Sequence, residues 1–186
     1  MNLAYGQTKY FGLQGKNDPK MNEYWEVVDH KVSALYVGAL KTGCLLGEGS
    51  DEQMDLLENF GSALGQVYHL RKDVLEFEAV DVLGKDANSF IHRGKRNLVT
   101  IHALNELDTS KREELLNILN KKGADNTSKD IERALELIDS VNSVDYVQGK
   151  AKHIAESAKH LLKELPETRA KYVLEGIVDA ILHMEN

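Results

Sequence analysis

Proline interrupts this chain only twice, at Pro19 and Pro166, which leaves nearly its whole length open to helix, the structure an interior proline breaks most strongly. Apolar residues recur at spacings of three and four. Val28, Val32, Leu35 and Leu40 trace one stripe, and Leu57, Phe60, Leu64, Val67 and Val74 a second. The pattern returns at Leu115, Ile118 and Leu119, at Ile131, Leu135 and Ile138, and at Ile154, Ala158, Leu161 and Leu162. That period puts each set on one helix face. Alternation of period two is never sustained for the length of a strand. The chain is expected to be all-α, with helices over about 1–13, 21–46, 50–79, 94–106, 110–122, 127–160 (broken near Ser143) and 167–184. No period of about 20–50 residues repeats, so the helices form a bundle and not a solenoid.

Local signals set the helix ends. Ser50 with Gln53 and Ser110 with Glu113 have capping-box spacing, in which each side chain satisfies an orphan amide. Pro166 stands where a first-turn proline would. Gly47, Gly49, Gly84 and Gly123 fall where helices should stop. Gly61 and Gly65 sit inside a helix, where each costs about 1 kcal/mol relative to alanine; close approach of a neighbouring helix is the expected offset. Tyr24, Trp25, Tyr36, Tyr68 and Phe90 are expected in the core or an interface.

An apolar content of 42% in 186 residues supports a single all-α domain over 1–186, burying roughly 68–70% of its unfolded surface. The one cysteine, Cys44, excludes an intrachain disulfide and a multi-cysteine zinc site, and is expected to be a buried thiol. A net charge of −7 argues against nucleic-acid binding, since a phosphate backbone needs concentrated positive charge. It leaves room for a local anion site at the one basic knot, His92-Arg93-Gly94-Lys95-Arg96. No apolar run reaches the length of about 18 residues that a transmembrane segment needs. The stretch MNLAYGQTKY lacks the basic start and apolar run of a signal peptide, so the expected location is cytoplasmic.

Four short motifs in order carry a family resemblance. Lys31-Val32-Ser33-Ala34-Leu35 opens one passage. Leu64-Gly65-Gln66-Val67-Tyr68-His69-Leu70-Arg71-Lys72-Asp73-Val74-Leu75-Glu76 follows, then Leu83-Gly84-Lys85 and, ten residues on, Gly94-Lys95-Arg96. Upstream stands Ala4-Tyr5-Gly6-Gln7; downstream, Ala151 to Leu182 with Leu165-Pro166-Glu167 inside it. This resembles the C-terminal half of the polyprenyl synthetase family, the trans-isoprenyl diphosphate synthases, whose motifs are Lys-Thr, Gly-x-Ala-Phe-Gln-x-x-Asp-Asp-x-x-Asp and a Gly-Lys pair.

The resemblance implies a helical bundle like the C-terminal half of the isoprenoid synthase fold, and a diphosphate grip by Lys31, Lys85 and Lys95 with Arg96 beside them. In the family, two aspartate-rich motifs hold Mg²⁺ on the leaving diphosphate, neutralising charge as an allylic cation forms. Here the first such motif would lie upstream of Gln7. The second reads Lys72-Asp73-Val74-Leu75-Glu76, with a cation where an acid is expected, so Asp73 and Glu76 are left as a weak metal pair and Mg²⁺ as a doubtful cofactor. His69 replaces a glutamine, Val32 a threonine and Phe90 an aspartate. The glutamate at position 76 is also expected to pair with Lys72 at i, i+4. The function implied is that of a half-length subunit in isoprenoid biosynthesis, non-catalytic or regulatory, or completing a synthase in trans. Its partners would be a homo-oligomer or another prenyl-synthase-like subunit, and a prenyl diphosphate its ligand. The alternative is a helical lipid- or protein-binding module that kept the scaffold without prenyltransferase chemistry.

Overall fold

Helix follows helix wherever the three-and-four spacing runs. The computed structural model describes residues 2–83, 89–122 and 125–185, and no strand occurs among them. In chain order these are α1 (Asn2–Leu13), α2 (Met21–Val28), a π-helical turn (Asp29–Ser33), α3 (Ala34–Leu46), α4 (Asp51–Leu83), α5 (Ser89–His92), α6 (Leu98–Glu106), α7 (Thr109–Leu119), α8 (Ser128–Asp139), α9 (Ser143–Leu161), a 3₁₀ turn (Leu162–Glu164) and α10 (Arg169–Leu182). The expected glycine stops at Gly84 and Gly123, and Lys85, lie outside the described residues. No described helix is long and apolar enough to cross a membrane.

Several helix ends differ from the sequence expectation for local reasons. The capping box at Ser50 and Gln53 forms as read, with both reciprocal bonds present. The α7 start does not use Ser110 and Glu113: the cap is Asp108, whose carboxylate accepts from the Lys111 amide at 3.0 Å. A carboxylate at the cap also meets the positive end of the helix dipole. Pro166 precedes the α10 start, because Thr168 in extended conformation is the cap and accepts from the Lys171 amide. The stretch 94–97, expected as helix, turns instead through Gly94 at φ +58, and α6 begins only after Asn97 caps Thr100. The expected break near Ser143 is present, with Asn142 at φ +50 between α8 and α9.

The described residues group into two compact units. One takes residues 2–7, 26–71 and 149–185. Its core joins Phe60, Leu64 and Val67 of α4 to Ala155 and Ala158 of α9, Leu162, and Val178 of α10. The π-helical turn lies here and changes which face of the following helix looks inward. An extra residue in a turn rotates the downstream stripe by about 100°. Hence Val28 is buried while Leu35, placed on the same stripe by sequence, is 57% exposed. Gly65 accommodates this turn: a Cβ there would lie 2.5 Å from the Ser33 Cα. Gly61 does the same against Val37 at 2.9 Å. The close approach expected from both glycines is present.

The other unit takes residues 8–25 and 72–148. Its central helix is α6, in which Leu98, Val99, Thr100, Ile101, Ala103 and Leu104 are all buried, as befits a helix apolar on nearly every side. Helices α7 and α8 pack on it through Leu115, Ile118, Ile131, Ala134 and Ile138. His102, also on α6, stacks on Tyr146 at 3.9 Å between ring centres and bonds the fully buried Ser143 hydroxyl at 2.9 Å. Burial lowers the His102 pKa below the usual histidine value, against an opposing pull from Glu106. A lowered folded-state value means the unfolded chain binds the proton more readily, so this contribution is complete above about pH 6.5 and is lost as pH falls through the folded pKa. The expected result is a urea midpoint that declines between pH 7 and pH 5, with a smaller decline in His102→Gln measured over the same series.

Candidate functional site

The basic knot is built by a tight turn. After α5, the Gly94 amide donates to the Ile91 carbonyl and the Lys95 amide to the Phe90 carbonyl, both at 2.9 Å. Such a closure requires a left-handed residue, and Gly94 supplies it. Its lack of a side chain is required twice over, because a Cβ would lie 2.3 Å from the Leu119 carbonyl oxygen. Phe90, where the family resemblance puts an acid, is fully buried and packs on Phe77 at 5.4 Å.

Lys95 and Arg96 leave this turn in opposite roles. Arg96 is 1% exposed. Its Nε donates to the Lys16 carbonyl, Nη1 to the Gly94 carbonyl and Nη2 to Asn120 Oδ1, at 2.6–2.8 Å. Desolvation pushes its pKa down to about 10. The fork therefore braces the 94–97 turn against the chain near Lys16 and the end of α7, and does not present itself to solvent. Lys95 is partly exposed, and its ammonium is paired with the Glu76 carboxylate of α4. Lys31 sits within the π-helical turn of the other unit, half-buried, above Gly6, where a Cβ would lie 2.6 Å from its amide nitrogen.

The surviving acids of the second motif are both engaged. Asp73 is 5% exposed. Its Oδ2 accepts from the Tyr24 hydroxyl at 2.7 Å and from the Leu98 amide at 3.0 Å. Leu98 opens α6, so the carboxylate meets both an orphan amide and the positive end of that helix. Burial, and then the neighbouring Asp73 charge, hold the Tyr24 phenol well above its ordinary pKa, so it remains a donor. Glu76 pairs with Lys95, a partner 19 residues away that helical spacing did not suggest. The reason is tertiary: the Gly94 turn brings Lys95 to α4. The Tyr10 hydroxyl, its pKa raised chiefly by burial, is lowered by Arg93 and raised by Glu76 and Asp73, which marks these charges as neighbours.

A magnesium ion requires an octahedron of oxygens with waters and carboxylates free to turn toward it. Asp73 is anchored by two donors, Glu76 is held by an ammonium, and Lys72 puts a cation at the motif's first position. No group of three or more His, Cys, Asp or Glu side chains is positioned to hold a metal among the described residues. Both acids are thus committed to protein donors in this structure.

Of the candidates named from sequence, the second unit thus brings together Lys95, Glu76 and Asp73. It also holds Tyr24, Tyr10 and Asn97, which sequence reasoning did not place at the site. Tyr24 stood out only as an aromatic. Its pairing with Asp73 spans 49 residues and has no sequence signal.

Known proteins agree with this architecture. Over 184 residues the chain is 33% identical to the geranylgeranyl diphosphate synthase of Methanosarcina mazei, covering 98% of this chain and 54% of that protein. It is 28% identical over 181 residues to the geranylfarnesyl diphosphate synthase of Natronomonas pharaonis, covering 97% and 51%. The crystal structure of geranylgeranyl pyrophosphate synthetase from Pyrococcus horikoshii superposes with a TM-score of 0.88 at 28% identity, over 99% of this chain and 55% of that one. A decaprenyl diphosphate synthase from Rhodobacter capsulatus shares the fold with a TM-score of 0.89 at 21% identity. The chain spans about half the length of the curated relatives it matches. The family profile described as polyprenyl synthetase matches residues 1–138, the stretch that holds the Lys31, α4 and Gly94 motifs. The chain belongs to the polyprenyl synthetase family and has the all-helical fold of the C-terminal half of an isoprenyl diphosphate synthase.

Proposed function

We propose that this chain is a half-length prenyl-synthase subunit of isoprenoid biosynthesis, which does not condense prenyl units alone and works against another prenyl-synthase-like chain. One observation carries the reading. Helix α3 is a 13-residue helix with a single charged side chain, Lys41, yet Cys44 is its only buried residue. Leu35, Leu45 and Leu46 are 57, 70 and 81% exposed. Helix α10 exposes Val173 and Ile177, and α3, α4 and α10 flank an open groove of about 620 Å³ whose lining includes Leu40, Gly43, Leu57, Val173 and Leu174 together with the charged Arg169. Large apolar side chains exposed in this number on neighbouring helices mark an interaction surface. Relatives carry roughly as much chain again as this one spans, and helices from a second polypeptide supply the matching cover.

Lys31, Lys85 and Lys95 are each proposed as contacts to a diphosphate group. Arg96 has the different part of holding the turn from which Lys95 projects. Asp73 and Glu76 supply at most a weak metal contact, so no chemical step is assigned to them. The pure protein, given Mg²⁺, an allylic diphosphate and isopentenyl diphosphate, is expected to yield no product. In sedimentation at micromolar concentration it is expected as an oligomer, or as a complex when another prenyl synthase is added. A compact monomer indifferent to such a partner, or product formation by the pure chain, overturns the proposal. Retention of a prenyl lipid by a stable monomer would favour the lipid-binding module instead.

A further inference from the structure

The geometry points to a metal-independent anion site in the second unit, in which Glu76 is a resident counter-ion that a phosphate group displaces from Lys95. The inference rests on the diphosphate-binding reading of Lys95 and adds to it what holds the site in its resting state and what neutralises the ligand.

Three observations converge. Lys95 and Glu76 form an ion pair with side chains 19% and 24% exposed, so the ammonium is shielded enough for its partner to matter yet open enough to be reached. Charge-assisted contacts of a lysine to carboxylate and to phosphate oxygen use the same donors, and the two anions cannot both occupy the ammonium at full strength. Next, the resting pair is incomplete. Glu76 Oε2 is buried and accepts no hydrogen bond. A carboxylate oxygen removed from water without a donor is destabilising, which lowers the cost of taking Glu76 out of this position. Finally, the displaced carboxylate has a second cation within reach. Lys72 lies one turn earlier on α4, at i, i+4 to Glu76, the spacing at which such side chains meet.

Charge bookkeeping explains why no divalent ion is needed. Lys72, Arg93 and Lys95 stand near Asp73 and Glu76. Asp73 keeps its charge but is held away from the ligand by two neutral donors, the Tyr24 hydroxyl and the Leu98 amide. With Glu76 turned to Lys72, the ammonium of Lys95 faces the incoming anion. Lys72 thus takes up the charge of Glu76 and leaves the Lys95 ammonium to the anion. The exchange is one of ion-pair partners, and no covalent bond changes.

The test is calorimetric titration of the full chain with inorganic diphosphate, once with EDTA and once with excess Mg²⁺. In EDTA the wild type is expected to bind, Glu76→Gln to bind about tenfold tighter, and Lys95→Gln about tenfold weaker. Lys72→Gln weakens binding severalfold by removing the alternative partner of Glu76. Glu114→Gln makes the same change in net charge at an exposed acid paired with Arg133, and is expected to match the wild type. Equal affinity of Glu76→Gln and wild type overturns the exchange while leaving the diphosphate site intact. So does binding seen only with Mg²⁺. Absence of binding in both solutions, in wild type and Glu76→Gln alike, overturns the diphosphate reading together with the inference.

Discussion

Asp73→Ala is expected to lower the free energy of unfolding by about 3 kcal/mol, the range for breaking a buried, charge-assisted network. The truncation orphans the Tyr24 hydroxyl and the Leu98 amide, both buried, and removes a negative charge from the start of α6. The direction of the effect separates two roles for this residue. A carboxylate kept only to bind a metal is a liability to the metal-free fold, so its removal is neutral or stabilising. A carboxylate kept as an anchor destabilises the fold when lost. Urea denaturation of the protein in EDTA distinguishes them, and a gain in stability for Asp73→Ala would discard the anchor role. Tyr24→Phe is expected to lose about 1 kcal/mol, and the double variant to fall short of the sum, because the two side chains act on one bond.

Gly94→Ala is the second substitution with a large expected effect, again about 3 kcal/mol. Two terms combine. A left-handed conformation at φ +58 costs a residue with a Cβ roughly 1–2 kcal/mol. The new methyl then meets the Leu119 carbonyl oxygen at 2.3 Å, and backbone cannot swing aside as a side chain does, so overpacking adds roughly 1–3 kcal/mol. The same change should weaken diphosphate binding, since Lys95 is the next residue and its amide closes the turn on Phe90. A loss below about 1 kcal/mol in thermal or urea unfolding would show that the turn relaxes without penalty. Alanine at Gly12 or Gly149, where a Cβ meets nothing within 4 Å, serves as the comparison.

What was legible in the chain was local. A scarcity of proline and a period of three to four residues announce helices, because both act within one turn of backbone. The Ser50 and Gln53 box, the break before Ser143 and the glycine seams at Gly61 and Gly65 were readable for the same reason: each is a property of a few neighbouring residues. So was membership of a family, through motifs at fixed spacing. Other features were decided only by tertiary structure. The π-helical turn moved Leu35 off the buried stripe, and Gly6 and Gly65 leave room for the backbone of that turn. Arg96, which reads as part of a basic knot, became a buried brace because Lys16 and Asn120 arrive from 80 and 24 residues away. Glu76 pairs with Lys95 through the Gly94 turn, and Asp73 with Tyr24 across 49 residues. Sequence spacing predicts which groups share a helix face; only packing decides which charged groups from distant segments are desolvated together, and desolvation is what converts a carboxylate and a lysine from surface charges into a site.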